Sequence, residues 1–80
     1  MIIEINTFEL GTDSERAEKV VEEANELRDA FYMGCDEYDL MMEIGDVITI
    51  AVNFAAALGI DVQGCIDMVE TKNIIRGRYD

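Results

Sequence analysis

Histidine and proline are absent from the 80 residues, and basic side chains are scarce, six Lys and Arg against eighteen Asp and Glu. Each shortage excludes something. With no histidine, and no Lys or Arg between Arg28 and Lys72, an acid in the middle of the chain has no cationic neighbour in sequence to pair with. A formal net charge of -12 repels nucleic-acid phosphates and anionic membranes, so neither is an expected partner. Cysteine is limited to Cys35 and Cys65, which lack the C-x-x-C spacing of a zinc or redox site and read as reduced, structural thiols. The N-terminus, Met-Ile-Ile-Glu, has no basic n-region or cleavage site. The apolar run Val47 to Leu58 is too short to span a bilayer and contains Thr49 and Asn53. These shortages lead us to expect a cytoplasmic protein without a membrane segment.

Eighty residues make one domain, spanning 1–80. A domain of this size buries only about two thirds of the surface its unfolded chain exposes, so a monomer is marginal and a homodimer or homotetramer is expected. There is no low-complexity segment and no internal repeat.

The chain is organised around Leu40 to Gly59, its most apolar stretch, which nevertheless holds two acids. At helical spacing one stripe is Leu40, Ile44, Ile48, Ala51, Ala55 and Leu58, a core face; a second runs Glu43, Asp46, Ile50, Asn53 and Ala57. A helix apolar on both sides is expected to be buried nearly all round, with Glu43, Asp46 and Asn53 pointing into an interior or a cleft. Buried carboxylates need a partner, and a metal cation is the natural one.

Two further helices flank this one. Thr12-Asp13-Ser14-Glu15 has the form of a capping box and opens an amphipathic segment with Ala17, Val20, Val21, Ala24, Leu27 and Phe31 as its core stripe. Gly34 is placed as the C-terminal cap of this helix, and Gly59 is placed to close the central helix in the left-handed conformation. Asp61 caps a third helix in which Val62, Ile66 and Val69 face the core, running to about Arg76 and ending at Gly77. Met1 to Gly11 has no clean period and is left open between a short strand and a half-turn. The expected fold is all-α: an antiparallel hairpin of Ser14–Met33 and Asp36–Leu58 plus a third helix, completed to a four-helix-type bundle by homo-oligomerisation. The association patch is expected on a face bearing Ile50, Phe54 and Ala57.

The acids repeat one spacing. Glu23 and Glu26 on the first helix, and Glu43 and Asp46 on the second, are i, i+3 pairs, and Glu22 stands four before Glu26. Two such pairs facing each other across a hairpin form the arrangement by which helical bundles build carboxylate metal sites. Two like charges about 5 Å apart at an effective dielectric of 20 repel by roughly 3 kcal/mol, so the cluster is strongly unfavourable without a cation. All-oxygen ligands select Mg²⁺, with Mn²⁺ as a substitute, over zinc or copper. The competing reading is a solvated acidic face, in which Glu22 and Glu23 pair with Lys19 at spacings of three and four.

Four linked pieces of sequence resemble one family. Glu22-Glu23-Ala24-Asn25-Glu26 followed by Glu43-Ile44-Gly45-Asp46 resembles the E-E-x-x-E and E-x-x-D signature of the MazG-like all-α nucleoside triphosphate pyrophosphohydrolases. Val52-Asn53-Phe54 with Ala57-Leu58-Gly59-Ile60-Asp61 is similar to its V-N-x-A-x-x-L-G-I-D segment, and Lys72-Asn73, Arg76-Gly77 and Tyr79 to its closing K-N-x-x-R-G-x-Y. The resemblance covers roughly Glu18 to Tyr79. It departs from many members in having only about a dozen residues before the first acidic helix.

The resemblance implies Mg²⁺-dependent hydrolysis of a nucleoside triphosphate between the α and β phosphates, giving a monophosphate and pyrophosphate. It implies Glu23, Glu26, Glu43 and Asp46 as metal ligands and Glu22 as the group that helps take a proton from the attacking water. Lys72 and Arg76 would offset charge on the β and γ phosphates, or else form an ordinary basic helix end. Asn53 would hydrogen-bond the sugar or base, or else be a satisfied core amide. Two other functions remain in competition. One is a phosphoribosyl-ATP pyrophosphohydrolase, against which the closing segment weighs; the other is an acidic, non-enzymatic interaction protein that imitates DNA phosphates or blocks a basic partner.

Overall fold

The computed structural model describes residues 11–78, so the open reading of Met1 to Leu10 and the resemblance at Tyr79 lie outside the described residues. Three helices follow one another: α1 (Asp13–Tyr32), α2 (Glu37–Ala57) and α3 (Val62–Ile75). No strand occurs among the described residues, and the all-α expectation holds.

Local chemistry sets the ends of these helices. At the start of α1 the Glu15 backbone N–H donates to the Thr12 hydroxyl at 3.2 Å and the Thr12 N–H donates to the Glu15 carboxylate at 3.3 Å, the reciprocal pair of a capping box. Asp36 accepts from the Asp39 N–H at 2.9 Å to open α2, and Asp61 accepts from the Gln63 and Gly64 N–H groups at 3.3 and 3.2 Å to open α3. The chain leaves α1 through Gly34 at φ 74° and α2 through Gly59 at φ 71°. That left-handed backbone strains any residue with a Cβ, and it turns the chain back within four or five residues.

The first two helices form the expected hairpin. Arg16, Val20, Glu23, Leu27 and Ala30 of α1, spaced by threes and fours, are among the positions withdrawn from solvent, and on α2 so are Leu40, Glu43, Val47, Ile50 and Phe54. This inner seam corrects the assignment of faces on α2. The stripe read as the core face is largely exposed, with Ile44 at 43%, Ile48 at 44% and Leu58 at 45%, while the stripe carrying the acids is the one turned to α1. Nor is α2 buried all round: Ile50 and Asn53 are its fully buried residues, and Ile50 is the one apolar side chain so buried among the described residues. On α1 the expected core positions Val21, Ala24 and Phe31 are likewise exposed. The physical reason is that both stripes of α2 have the same spacing, and the inner one carries the larger side chains Leu40, Val47, Ile50 and Phe54, which fill the space against α1 better than Ala51 and Ala55 would.

Contacts of α3 are sparse. It meets α2 weakly and does not touch α1. Ala51, Val52 and Ala55 of α2 and Val62, Cys65 and Ile66 of α3 line an apolar groove of about 210 Å³ between the two helices. Both cysteines are free thiols.

At 21 residues, α2 as a whole is long and apolar enough by length and composition to cross a membrane, although the run Val47 to Leu58 makes up only its C-terminal part. Its acids make the difference. Glu43 and Asp46 lie on the face that meets α1, a helix with acids and bases along its whole length, and a span pairing with so polar a neighbour would carry those charges into hydrocarbon.

Candidate carboxylate metal centre

The hairpin brings acids from two helices to one place. Glu23 of α1 and Glu43 and Asp46 of α2 each offer a carboxylate oxygen within 4.8 Å of the other two. Local periodicity explains the convergence: Glu23 occupies an inner position of α1 between Val20 and Leu27, and Glu43 an inner position of α2 between Leu40 and Val47. Asp46, three residues on, reaches the cluster from the rim and is exposed, so of the expected interior or cleft positions it has the open edge of a cleft.

Burial grades across the cluster. Glu23 is 7% exposed, Glu43 half-buried and Asp46 exposed, so the site opens outward like a cleft with one closed wall. Glu23 Oε1 accepts from Lys19 Nζ at 3.2 Å, whereas its Oε2 is buried with no hydrogen-bond partner. Glu43 Oε2 is buried and unpartnered too. A carboxylate oxygen withdrawn from water without a donor costs free energy, and two of them side by side add mutual repulsion. A cation bound between them satisfies both.

Glu26 stands beside the cluster and outside the set of three. Its carboxyl holds its proton more tightly than an ordinary glutamate, first because in its protonated form it can donate to Glu23, then through the negative charge of Glu23, with burial and the charges of Glu43 and Glu22 adding to it. Such crowding of carboxylates shows that this corner of the hairpin is short of positive charge.

Lys19 is the cation that is present. Its ammonium lies 3.1 Å from Glu22 and 3.2 Å from Glu23, and hydrogen bonds to these two, Glu22 first, raise its pKa. The solvated-face reading therefore describes Glu22, which is exposed and turned to Lys19, and only half of Glu23. The spacing of Lys19 from both acids is the signal for this pairing, but not for its dividing Glu23 between a lysine on one oxygen and a second oxygen that is buried without a hydrogen-bond partner.

The remaining site residues are not brought to the cluster. Asn53 is 3% exposed and its Nδ2 donates to the Thr49 carbonyl at 2.8 Å, the position of a core amide. Lys72 lies on α3 and Arg76 is that helix's C-cap, both exposed, and α3 makes no contact with the helix that carries Glu22, Glu23 and Glu26.

The donor set suits a hard divalent cation. It consists of carboxylate oxygens alone, with no nitrogen or sulfur ligand within it, and two of its oxygens are dry and unpartnered.

A family model described as phosphoribosyl-ATP pyrophosphohydrolase matches residues 4–73 of the 80. No curated protein and no solved structure matches the chain.

Proposed function

Because this chain belongs to the phosphoribosyl-ATP pyrophosphohydrolase family, we propose that it hydrolyses the anhydride bond between the α and β phosphates of a nucleotide triphosphate, releasing pyrophosphate. The observation that carries the reading is the meeting of Glu23, Glu43 and Asp46 with two buried, unpartnered oxygens. An acidic protein acting as a phosphate mimic would keep its carboxylates in water, where their charge costs least.

Glu23, Glu43 and Asp46 would hold Mg²⁺ or Mn²⁺, with Glu26 beside them as a further ligand, and the chemistry it would supply there is Lewis-acid activation of phosphate and water. Glu22, at the rim next to Glu23, accepts the proton of the attacking water. Its exposure lets it move off Lys19 toward substrate. Lys72 and Arg76, one turn apart, offset the negative charge that shifts to the leaving pyrophosphate.

Two substrates carry this bond, and one observation favours each. The family match favours phosphoribosyl-ATP. The segment Lys72-Asn73 with Arg76-Gly77, through its resemblance to the nucleotide-pool enzymes, favours a free nucleoside triphosphate. Pyrophosphate release with Mg²⁺ is the test, with phosphoribosyl-ATP and a panel of standard and modified nucleoside triphosphates assayed side by side. Turnover of one class at least a hundredfold better than the other assigns the substrate. Release of orthophosphate in place of pyrophosphate overturns the bond assignment.

A further inference from the structure

The acid cluster divides the cleft between α1 and α2 into two ends of different chemistry. One turn from Glu23, toward the start of α1, stands Lys19, the base that lies beside the acids. Toward the turn that joins the two helices, the same faces carry methionines instead. Met33 comes seven residues after Glu26, about 10 Å along the axis, and Met42 four before Asp46, about 6 Å along it. As the C-cap of α1, Met33 keeps a helical backbone, so its place on that face follows from the count. Both side chains are exposed, Met33 at 86% and Met42 at 52%.

Charge sets the same two ends apart. Asp36, Glu37 and Asp39 stand at the turn, Asp39 on the face that carries Asp46 seven residues later, and no Lys or Arg occurs between Arg28 and Lys72. Arg28 itself is held by Asp29 at 3.1 Å. A triphosphate tail laid toward the turn meets like charge, whereas one laid the other way meets the Lys19 ammonium. The turn end is left for the neutral part of a nucleotide.

Methionine suits that part. Its unbranched thioether chain packs against an aromatic ring and adapts to the ring's outline. It has no strong donor or acceptor with which to read the edge of a base, so it ranks bases by the area they cover.

We propose that the nucleoside of the substrate lies over Met33 and Met42, at the end of the cleft toward the α1–α2 turn, with its phosphates running past the acid cluster toward Lys19, and that this seat favours a purine over a pyrimidine. The inference rests on the pyrophosphohydrolase reading and gives it a direction. The scissile bond then lies over Glu23, Glu43 and Asp46, between an apolar end that holds the base and a cationic end that holds the leaving group.

Calorimetric titration at saturating Mg²⁺ tests this with two probes, α,β-methylene ATP, whose scissile bond does not hydrolyse, and inorganic tripolyphosphate, which has no nucleoside. The double variant Met33→Ala, Met42→Ala changes two exposed side chains and is expected to keep the helical circular dichroism of the wild type. Its affinity for the nucleotide analogue is expected to fall roughly tenfold, since each thioether–ring contact is worth a factor of about two to ten. Tripolyphosphate is expected to bind it as it binds the wild type. Unchanged affinity for the nucleotide analogue, or an equal loss for both probes, overturns the seat. Lys19→Ala is expected to weaken both probes by the same factor; a loss confined to the nucleotide analogue would place the nucleoside at the Lys19 end and overturn the direction. The adenine analogue is expected to bind the wild type roughly tenfold more tightly than its cytosine counterpart, and equal affinity removes the selection by area. A wild type that binds neither probe sinks the pyrophosphohydrolase reading and the seat with it, whereas tripolyphosphate binding with no loss in the methionine variant sinks the seat alone.

Discussion

Glu23 on α1 and Glu43 on α2 face each other across the helical hairpin, each burying one carboxylate oxygen without a hydrogen-bond partner, in a cluster whose ligand oxygens lie within 4.8 Å. Neither helix could produce this alone. The pairing sets like charges against each other in the fold, and four expectations follow from it and from the ends of the helices.

Glu43→Gln keeps the side-chain shape, removes one ligand and relieves like-charge repulsion. Turnover is expected to fall by on the order of a hundredfold or more, since even outer-shell partners of a metal site cost about 10–100-fold. The metal-free melting temperature is expected to stay level or rise. Near-native turnover in both this variant and Asp46→Asn would remove the metal assignment.

Mg²⁺ or Mn²⁺ is expected to raise the melting temperature without nucleotide, because a cation that binds only the folded cluster stabilises it by mass action. At ten times its dissociation constant the gain is about 1.4 kcal/mol, roughly 5–10 °C for a domain this small. Zinc at the same free concentration is expected to give no specific requirement. Calorimetry showing no response to either hard cation, with and without nucleotide, would contradict the site.

Lys19→Ala removes a positive charge 3.2 Å from Glu23 that competes with any bound cation. Mg²⁺ affinity, read from the metal dependence of melting, is expected to tighten by roughly two- to fivefold, in keeping with the modest strength of a partly exposed ion pair. Weaker binding would mean that Lys19 positions Glu23 instead of competing for it.

Thr12→Ala removes the side-chain cap of α1, the hydroxyl that accepts from the Glu15 N–H, while the backbone N–H at position 12 can still donate to the Glu15 carboxylate. Urea unfolding is expected to show a loss of about 1 kcal/mol. Residual turnover under folding conditions is expected to stay near wild type, because Thr12 lies about three turns from Glu23 along α1. A collapse of activity at full folding would place Thr12 in the site.

The sequence by itself determined the three helices, their caps and the hairpin, because these are set by contacts within four residues: Thr12 with Glu15, Asp36 with Asp39, Asp61 with Gly64, and the left-handed glycines. It also placed Glu23, Glu43 and Asp46 as candidates for one cluster, since i, i+3 spacing on two antiparallel helices leaves few other ways to meet. Only the tertiary structure decided which stripe of α2 meets α1. The inner stripe from Leu40 to Phe54 and the outer one from Met41 to Leu58 are displaced by a single residue and share the same spacing, so periodicity cannot rank them. Side-chain volume against a specific neighbour ranks them, and it turned Glu43 inward, left Asp46 at the rim and gave Asn53 to the core. The course of α3 was equally a tertiary matter: its apolar residues are legible, but that it leaves α1 untouched and carries Lys72 and Arg76 away from the acids depends on how few atoms it finds to pack against among the described residues.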